Sequence, residues 1–191
     1  KDLRAEVRKP EALVSMVFFG FLLLVVLNMA LAVGRQVTPE GGAGILWVAI
    51  TFSCVLGLGK VFSTEKKNRC LDGLLTSPLG PESLFAAKMT VNFILILLSE
   101  IAIIPLFFIL YGDSFARELP MLALVVMLAN LGFSATGTLF SAITADTGRN
   151  EALLPILFYP VVTPLVSISV RVTGAIFSGA GTGEYSSWLY V

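Results

Sequence analysis

Five long runs of apolar residues constrain the fold more strongly than any other feature of the sequence. A helix needs about 20 predominantly apolar residues to cross the hydrocarbon core of a bilayer. The runs contain a single charged residue, Glu100, and occupy residues 12–34, 41–59, 89–112, 119–145 and 152–170. Soluble proteins rarely hold five helices of this length without charge, so the sequence predicts an all-α polytopic membrane protein.

We place these runs in a single transmembrane domain that covers residues 1–191. The predicted spans lie at about 12–34, 43–62, 88–112, 119–145 and 152–171. The remaining segments are a short interfacial helix at 1–10, a cytoplasmic loop at 63–87 and an external segment at 172–191. We expect the external segment to lead into a sixth span beyond residue 191.

Composition and charge exclude several other classes of protein. The chain is 56% hydrophobic and 14% charged, whereas soluble domains average about 45–50% and about 25%. Its 13 basic residues balance its 13 acidic ones, so no net field attracts nucleic acid. The sequence contains no His, the usual ligand of metals and haem and the usual general base. We therefore predict no metal site and no catalytic residue on this chain.

The basic residues also orient the chain in the membrane. Ten of the 13 Lys and Arg lie before the first span or in the connections that follow the second and fourth spans. Cytoplasmic loops carry such an excess, so the N-terminus is predicted to be cytoplasmic. Trp47, Tyr111 and Trp188 then fall near the opposite interface, where amphipathic rings prefer to lie.

The cytoplasmic loop at 63–87 is the most informative segment outside the membrane. Leu71, Leu74 and Leu75 share one helical face, Thr64 is a candidate cap at the start of that helix, and Pro78 ends it. Such a helix either docks on the membrane surface or fits a groove on a motor protein. The residues we assign to coupling are Glu65, Arg69, Leu71, Gly73, Leu74, Leu75, Ser77 and Pro78.

A resemblance to a known family adds to this interpretation. Residues 62–78, with the pattern Leu-x-Gly-Leu-Leu-x-Ser-Pro, resemble the coupling-helix loop of ABC-2-type exporter permeases. The closer match is the haem exporter protein B (CcmB) family of bacterial cytochrome c maturation. The stretches that resemble this family are residues 1–4, 62–78, 137–140 and 149–155.

The resemblance implies an ABC-2 permease fold in the bacterial inner membrane, with residues 1–10 as an elbow helix. It also implies an ABC ATPase partner (CcmA-like) that binds ATP and Mg²⁺, so that this chain needs no cofactor of its own. Further implied partners are a haem-handling membrane protein (CcmC-like), a small single-span subunit (CcmD-like) and a periplasmic haem chaperone, all among membrane lipids. Because ABC exporters need two membrane halves, the second half is either another copy of this chain or a different subunit. Haem would be cargo or would lie on a partner.

Four polar side chains inside the predicted spans need partners, because a charged residue at mid-membrane costs about 2.5–3.5 kcal/mol. Glu100 is either a protonated carboxyl bonded to a neighbouring Ser or Asn, or a functional carboxylate inside the bundle. Asn28, Asn92 and Asn130 are expected to form interhelical hydrogen bonds, which average about 0.6 kcal/mol.

Small residues and prolines suggest where helices approach and bend. Ser134, Gly137, Thr138 and Ser141 form small-residue stripes that allow close packing, either within the chain or across a dimer. Pro155, Pro160 and Pro164 interrupt the hydrogen bonds of the fifth span. These prolines mark either a hinge or a static bend.

The sequence leaves three functions to compare. The first is the permease subunit of an ATP-driven complex that moves haem or releases a haem-loaded chaperone. The second is an ABC-2 permease for a lipid, polysaccharide or drug, and the third is a membrane scaffold without transport. Residues 57–61 lack the spacing of a phosphate-binding loop, so ATPase activity would belong to another chain.

Overall fold

A computed structural model describes residues 11–31, 37–67, 81–112, 119–145 and 153–179. Within these ranges the chain forms five α-helices, each long and apolar enough to cross a membrane. The helices are α1 (Glu11–Leu31), α2 (Pro39–Lys67), α3 (Pro81–Tyr111), α4 (Leu119–Ala145) and α5 (Leu153–Ser178). The prediction of a helical membrane protein is confirmed, and the proposed elbow at 1–10 lies outside the described residues.

Helix α2 is the centre of the bundle. It packs against each of the other four helices, and 72% of the residues in an apolar window of 18 residues between Pro39 and Leu58 are buried inside the chain. In the corresponding windows of α1 and α5 only 22% of the residues are buried. The outer helices therefore turn most of their apolar surface toward lipid, and α2 is shielded from it.

Residue contacts fix the helix directions. Gly57 lies against Met16, and Gly20 lies against Ser53, so α1 and α2 run antiparallel. The Nδ2 atom of Asn28 donates to the carbonyl of Leu110 at 3.3 Å, which brings the far ends of α1 and α3 together. The start of α1, the end of α2 and the start of α3 consequently share one face of the bundle, which we call the N-terminal face.

Helix α2 extends beyond the predicted span at both ends. Its start is explained by Thr38, whose hydroxyl accepts a hydrogen bond from the Gly41 N–H at 3.1 Å as an N-cap. Pro39 then takes the first helical position, where its missing N–H costs nothing. At the other end α2 continues to Lys67, so Thr64 lies inside a helix instead of capping a new one.

The loop predicted at 63–87 is shorter than expected, because α2 ends at Lys67 and α3 already begins at Pro81. Charged residues set the limits of the apolar runs. Lys and Glu are good helix formers in water, however, so charge does not end a helix outside the bilayer.

Helix α5 continues through Ser178, although residues 172–178 were assigned to an external segment. Val172, Thr173, Ile176 and Phe177 are buried in this last part of the helix. The helix ends at Gly179, whose φ of 72° is accessible to glycine at little cost.

Thr173 also corrects the expectation for Trp47. The Trp47 indole Nε1–H donates to the Thr173 hydroxyl at 2.9 Å, and the ring packs edge-on against Phe133. Trp47 is fully buried. It therefore joins α2 to α5 and α4 inside the bundle instead of facing the lipid headgroups.

Gly20 is the glycine at which the helices approach most tightly from two directions. A Cβ atom there would lie 2.5 Å from Ile103 Cδ1 and 2.7 Å from Ser53 Oγ. Gly44 on α2 has nothing within 4 Å of its corresponding position. The two glycines thus differ in packing while both are helical.

We expect Gly20→Ala to destabilise the protein by about 1–3 kcal/mol, because overpacking forces the neighbouring side chains to shift. Gly44→Ala is the matched control and should be neutral or stabilising by up to about 1 kcal/mol, because alanine favours the helix. Unfolding of both variants in lipid or detergent measures the difference. Equal stability of the two variants would contradict the close contact at Gly20.

Candidate functional site

A line of buried polar contacts joins α3 to α4. The Asn92 Nδ2 atom donates to the Thr138 hydroxyl at 2.9 Å, and Asn130 Nδ2 donates to Glu100 Oε2. The two contacts are eight residues apart on each helix. The earlier residue of α3 contacts the later residue of α4, so the two helices run antiparallel, and the equal spacing means that one alignment of the helices forms both contacts. Eight residues correspond to about 12 Å along a helix.

Hydroxyl groups on α4 extend this line, which we call the polar seam. The Thr138 hydroxyl donates to the Ser134 carbonyl at 2.6 Å, and the Ser134 hydroxyl donates to the Leu131 carbonyl at 3.1 Å. Serine and threonine can satisfy their own donors within a helix in this way. The hydroxyl oxygen of Thr138 is then available to accept the hydrogen bond from Asn92.

Glu100 lies deep in the seam, with 1% of its surface exposed, and Asn130 is completely buried. Glu100 Oε1 and Asn130 Oδ1 have no hydrogen-bond partner. The sequence identified both residues as needing partners, but their pairing follows from the antiparallel register.

Helix α2 completes the surroundings of Glu100. Cys54, a fully buried free thiol, lies near Glu100. The adjacent Ser53 is 1% exposed, and its Oγ has no hydrogen-bond partner. Cys54 of α2 thus lies near the pair that Glu100 of α3 forms with Asn130 of α4.

Asn28 lies apart from the seam. Its bond to the Leu110 carbonyl and the bond from the Tyr111 hydroxyl to the Leu24 carbonyl at 3.3 Å join α1 to the far end of α3. Asn28 therefore acts as a tie between the ends of two helices, as expected for an interhelical amide.

The small residues of α4 contact other helices of the same chain. Gly137 lies directly against Leu58 of α2, and Ser134, Thr138 and Ser141 are each at most 2% exposed. Of the two alternatives, packing within the chain and packing across a dimer, the structure shows the first. The small residues of α4 are buried by other helices of the same chain.

The prolines of α5 occupy different environments. Pro155 is the third residue of the helix, in the first turn, where a missing N–H breaks no helical hydrogen bond. Pro160 and Pro164 lie inside the helix and are exposed on its outer face. Whether they act as a hinge stays a prediction.

Pro105 was not singled out from the sequence. It lies inside α3, five residues beyond Glu100, and is exposed. A proline within an apolar run is a signal that sequence reasoning can use.

The assigned coupling residues lie mostly outside the described part of the chain. Arg69, Leu71, Gly73, Leu74, Leu75, Ser77 and Pro78 fall between α2 and α3. Glu65 lies within the last turns of α2. The structure describes the two helices that flank this segment, and both reach the N-terminal face.

Comparisons with known proteins point to one family. The CcmB protein family model matches residues 1–191. Heme exporter protein B of Paracoccus denitrificans is 30% identical over 155 residues, which cover 76% of this chain and 69% of the relative.

Two further relatives carry the same name. Heme exporter protein B of Rhodobacter capsulatus is 29% identical over 147 residues, covering 76% of this chain and 67% of the relative. The protein of Bradyrhizobium diazoefficiens is 27% identical over 183 residues, covering 94% and 80%. No solved structure matches the chain significantly.

The polar seam predicts a measurable cost for removing one hydroxyl. Thr138→Val keeps the shape of the side chain but leaves Asn92 without its acceptor, so we expect a loss of about 0.6–1.7 kcal/mol in unfolding free energy. Thr90→Val is the control, because the exposed Thr90 hydroxyl donates only to the Ala86 carbonyl of its own helix. A loss at Thr138 no larger than at Thr90 would show that the seam does not stabilise the bundle.

Proposed function

The chain belongs to the CcmB family, and on that premise we propose that it is the transmembrane subunit of an ABC-type haem export complex for cytochrome c maturation. Family membership makes it a transporter component, a membrane subunit of a haem export system. We further propose that a partner ATPase drives this subunit from the cytoplasm. The central position of α2 in the bundle is the observation that most directly supports coupling to an ATPase.

Helix α2 continues past its charge-free run on the N-terminal face. The run ends at Gly59, but the helix runs to Lys67, a further eight residues or about 12 Å. Helix α3 starts at Pro81, before its own apolar run begins at Met89. Two helices therefore extend beyond their apolar spans on either side of residues 68–80, where the coupling residues were assigned.

A force applied at this extension would reach the whole bundle. Because α2 packs against all four other helices, a tilt or shift of its cytoplasmic end must be accommodated at every interface. Protein interiors are close-packed and transmit such strain. We infer that closure of the ATPase moves α2 first and that the outer helices follow.

The described residues of the bundle suit the transmission of movement better than the ligation of haem. The chain has no His, and the described residues contain no group of three or more Cys, Asp or Glu arranged to hold a metal ion. Residues 57–60, which include Gly57, Gly59 and Lys60, lie within α2 and not in a phosphate-binding loop. We therefore assign haem ligation and ATP hydrolysis to partners, with haem movement or release of a haem-loaded chaperone as the output.

We expect Leu74→Asp to abolish co-purification of the ATPase and to lower the amount of c-type cytochrome at least tenfold, because a charge replaces an apolar contact. Leu119→Asp is the control. Leu119 begins α4 on the opposite face and is 51% exposed, so this variant should retain ATPase binding. Pull-down and haem staining measure both effects.

Two results would contradict the proposal. One is a Leu74→Asp variant that inserts normally and still binds the ATPase. The other is a deletion strain in which c-type cytochromes form normally, which would favour another cargo or a scaffold.

A further inference from the structure

Two unpartnered oxygen atoms belong to a pair of side chains that already share a hydrogen bond. Asn130 Nδ2 donates to Glu100 Oε2, while Glu100 Oε1 and Asn130 Oδ1 remain buried without partners. Each such atom in an apolar interior destabilises the folded protein, because it has lost its hydrogen bonds to water without gaining others. One hydrogen bond between Glu100 Oε1 and Asn130 Oδ1 would give both atoms a partner.

An ionised Glu100 carboxylate cannot form this hydrogen bond. Its two oxygens only accept hydrogen bonds, and the amide oxygen of asparagine also only accepts. Both amide hydrogens are carried by one nitrogen, so turning the Asn130 amide exchanges one mismatch for another. A proton on Glu100 Oε1 converts one acceptor into a donor and allows the carboxyl and the carboxamide to bind each other at two points.

In the part of the chain that the structure describes, no cation is shown beside Glu100 to stabilise its ionised form. Asn130 of α4 donates a hydrogen bond to Glu100, and Cys54 of α2 lies near it. Neither is a cation, and Glu100 is 1% exposed. A charged side chain at this depth is unfavourable on insertion scales, a cost that a neutral carboxyl avoids.

We propose that Glu100 is a proton-binding site in the membrane interior and that its neutral carboxyl group donates a hydrogen bond to Asn130 Oδ1. The pair then joins α3 to α4 through two reciprocal hydrogen bonds. Loss of the proton places two acceptors against each other and breaks one of these bonds. The proton thus determines whether the polar seam is closed at this level, and this inference does not depend on the proposed transport function.

Infrared difference spectroscopy of the purified full chain in nanodiscs at neutral pH tests the proposal. The wild-type minus Glu100→Gln spectrum should contain the C=O stretch of a protonated carboxylic acid, because glutamine can still make both bonds but has no carboxyl. Glu82→Gln is the matched control on the same helix, since Glu82 is exposed in the first turn of α3. Its difference spectrum should lack the acid band.

Two further measurements keep the test decisive. In Asn130→Ala the acid band should move to higher frequency, because the carboxyl loses its acceptor. If Glu100→Gln fails to fold, glutamate labelled with ¹³C at the side-chain carboxyl shows whether the acid band of the wild type belongs to a glutamate, and the shift of that labelled band in Asn130→Ala links it to Glu100. Carboxylate bands at Glu100, or an acid band unmoved in Asn130→Ala, would overturn the proposal.

Discussion

The antiparallel register of α3 and α4 is the constraint on which the rest of the bundle depends. In lipid a buried polar group has no water to bind, so its partner must come from the protein itself. Asn92 finds Thr138, and Glu100 finds Asn130, in one register. A shift of α4 by one residue would separate both pairs at once, so the polar seam specifies a single alignment where apolar packing alone would permit several.

Helix α2 connects this seam to the part of the molecule that faces the cytoplasm in our proposal. Its buried side chains contact every other helix, and Gly57 and Leu58 lie in close contact with α1 and α4 respectively. The same helix continues to Lys67, beyond its charge-free run. A central, tightly packed helix that continues past its apolar run is well suited to carry movement from a partner to the seam.

The sequence predicted the number and approximate positions of the described spans because charge is excluded from the hydrocarbon core, and α4 has the predicted bounds. It could not predict where α2 and α5 end, since helices continue past the bilayer wherever caps and packing allow. The importance of Glu100 and Asn130 was predictable from the cost of burying polar groups. Their pairing was not, because it depends on the helix register. The predicted interfacial position of Trp47 was wrong, because the preference of tryptophan for the membrane interface is weaker than its buried hydrogen bond to Thr173.

A double-mutant cycle at Glu100 and Asn130 tests the seam most directly. Unfolding free energies of Glu100→Leu, Asn130→Leu and the double variant should show a coupling of about 1–2 kcal/mol, because each single change strands the partner of the other. Strictly additive losses, to within about 0.3 kcal/mol, would mean that the two side chains do not meet inside the bundle.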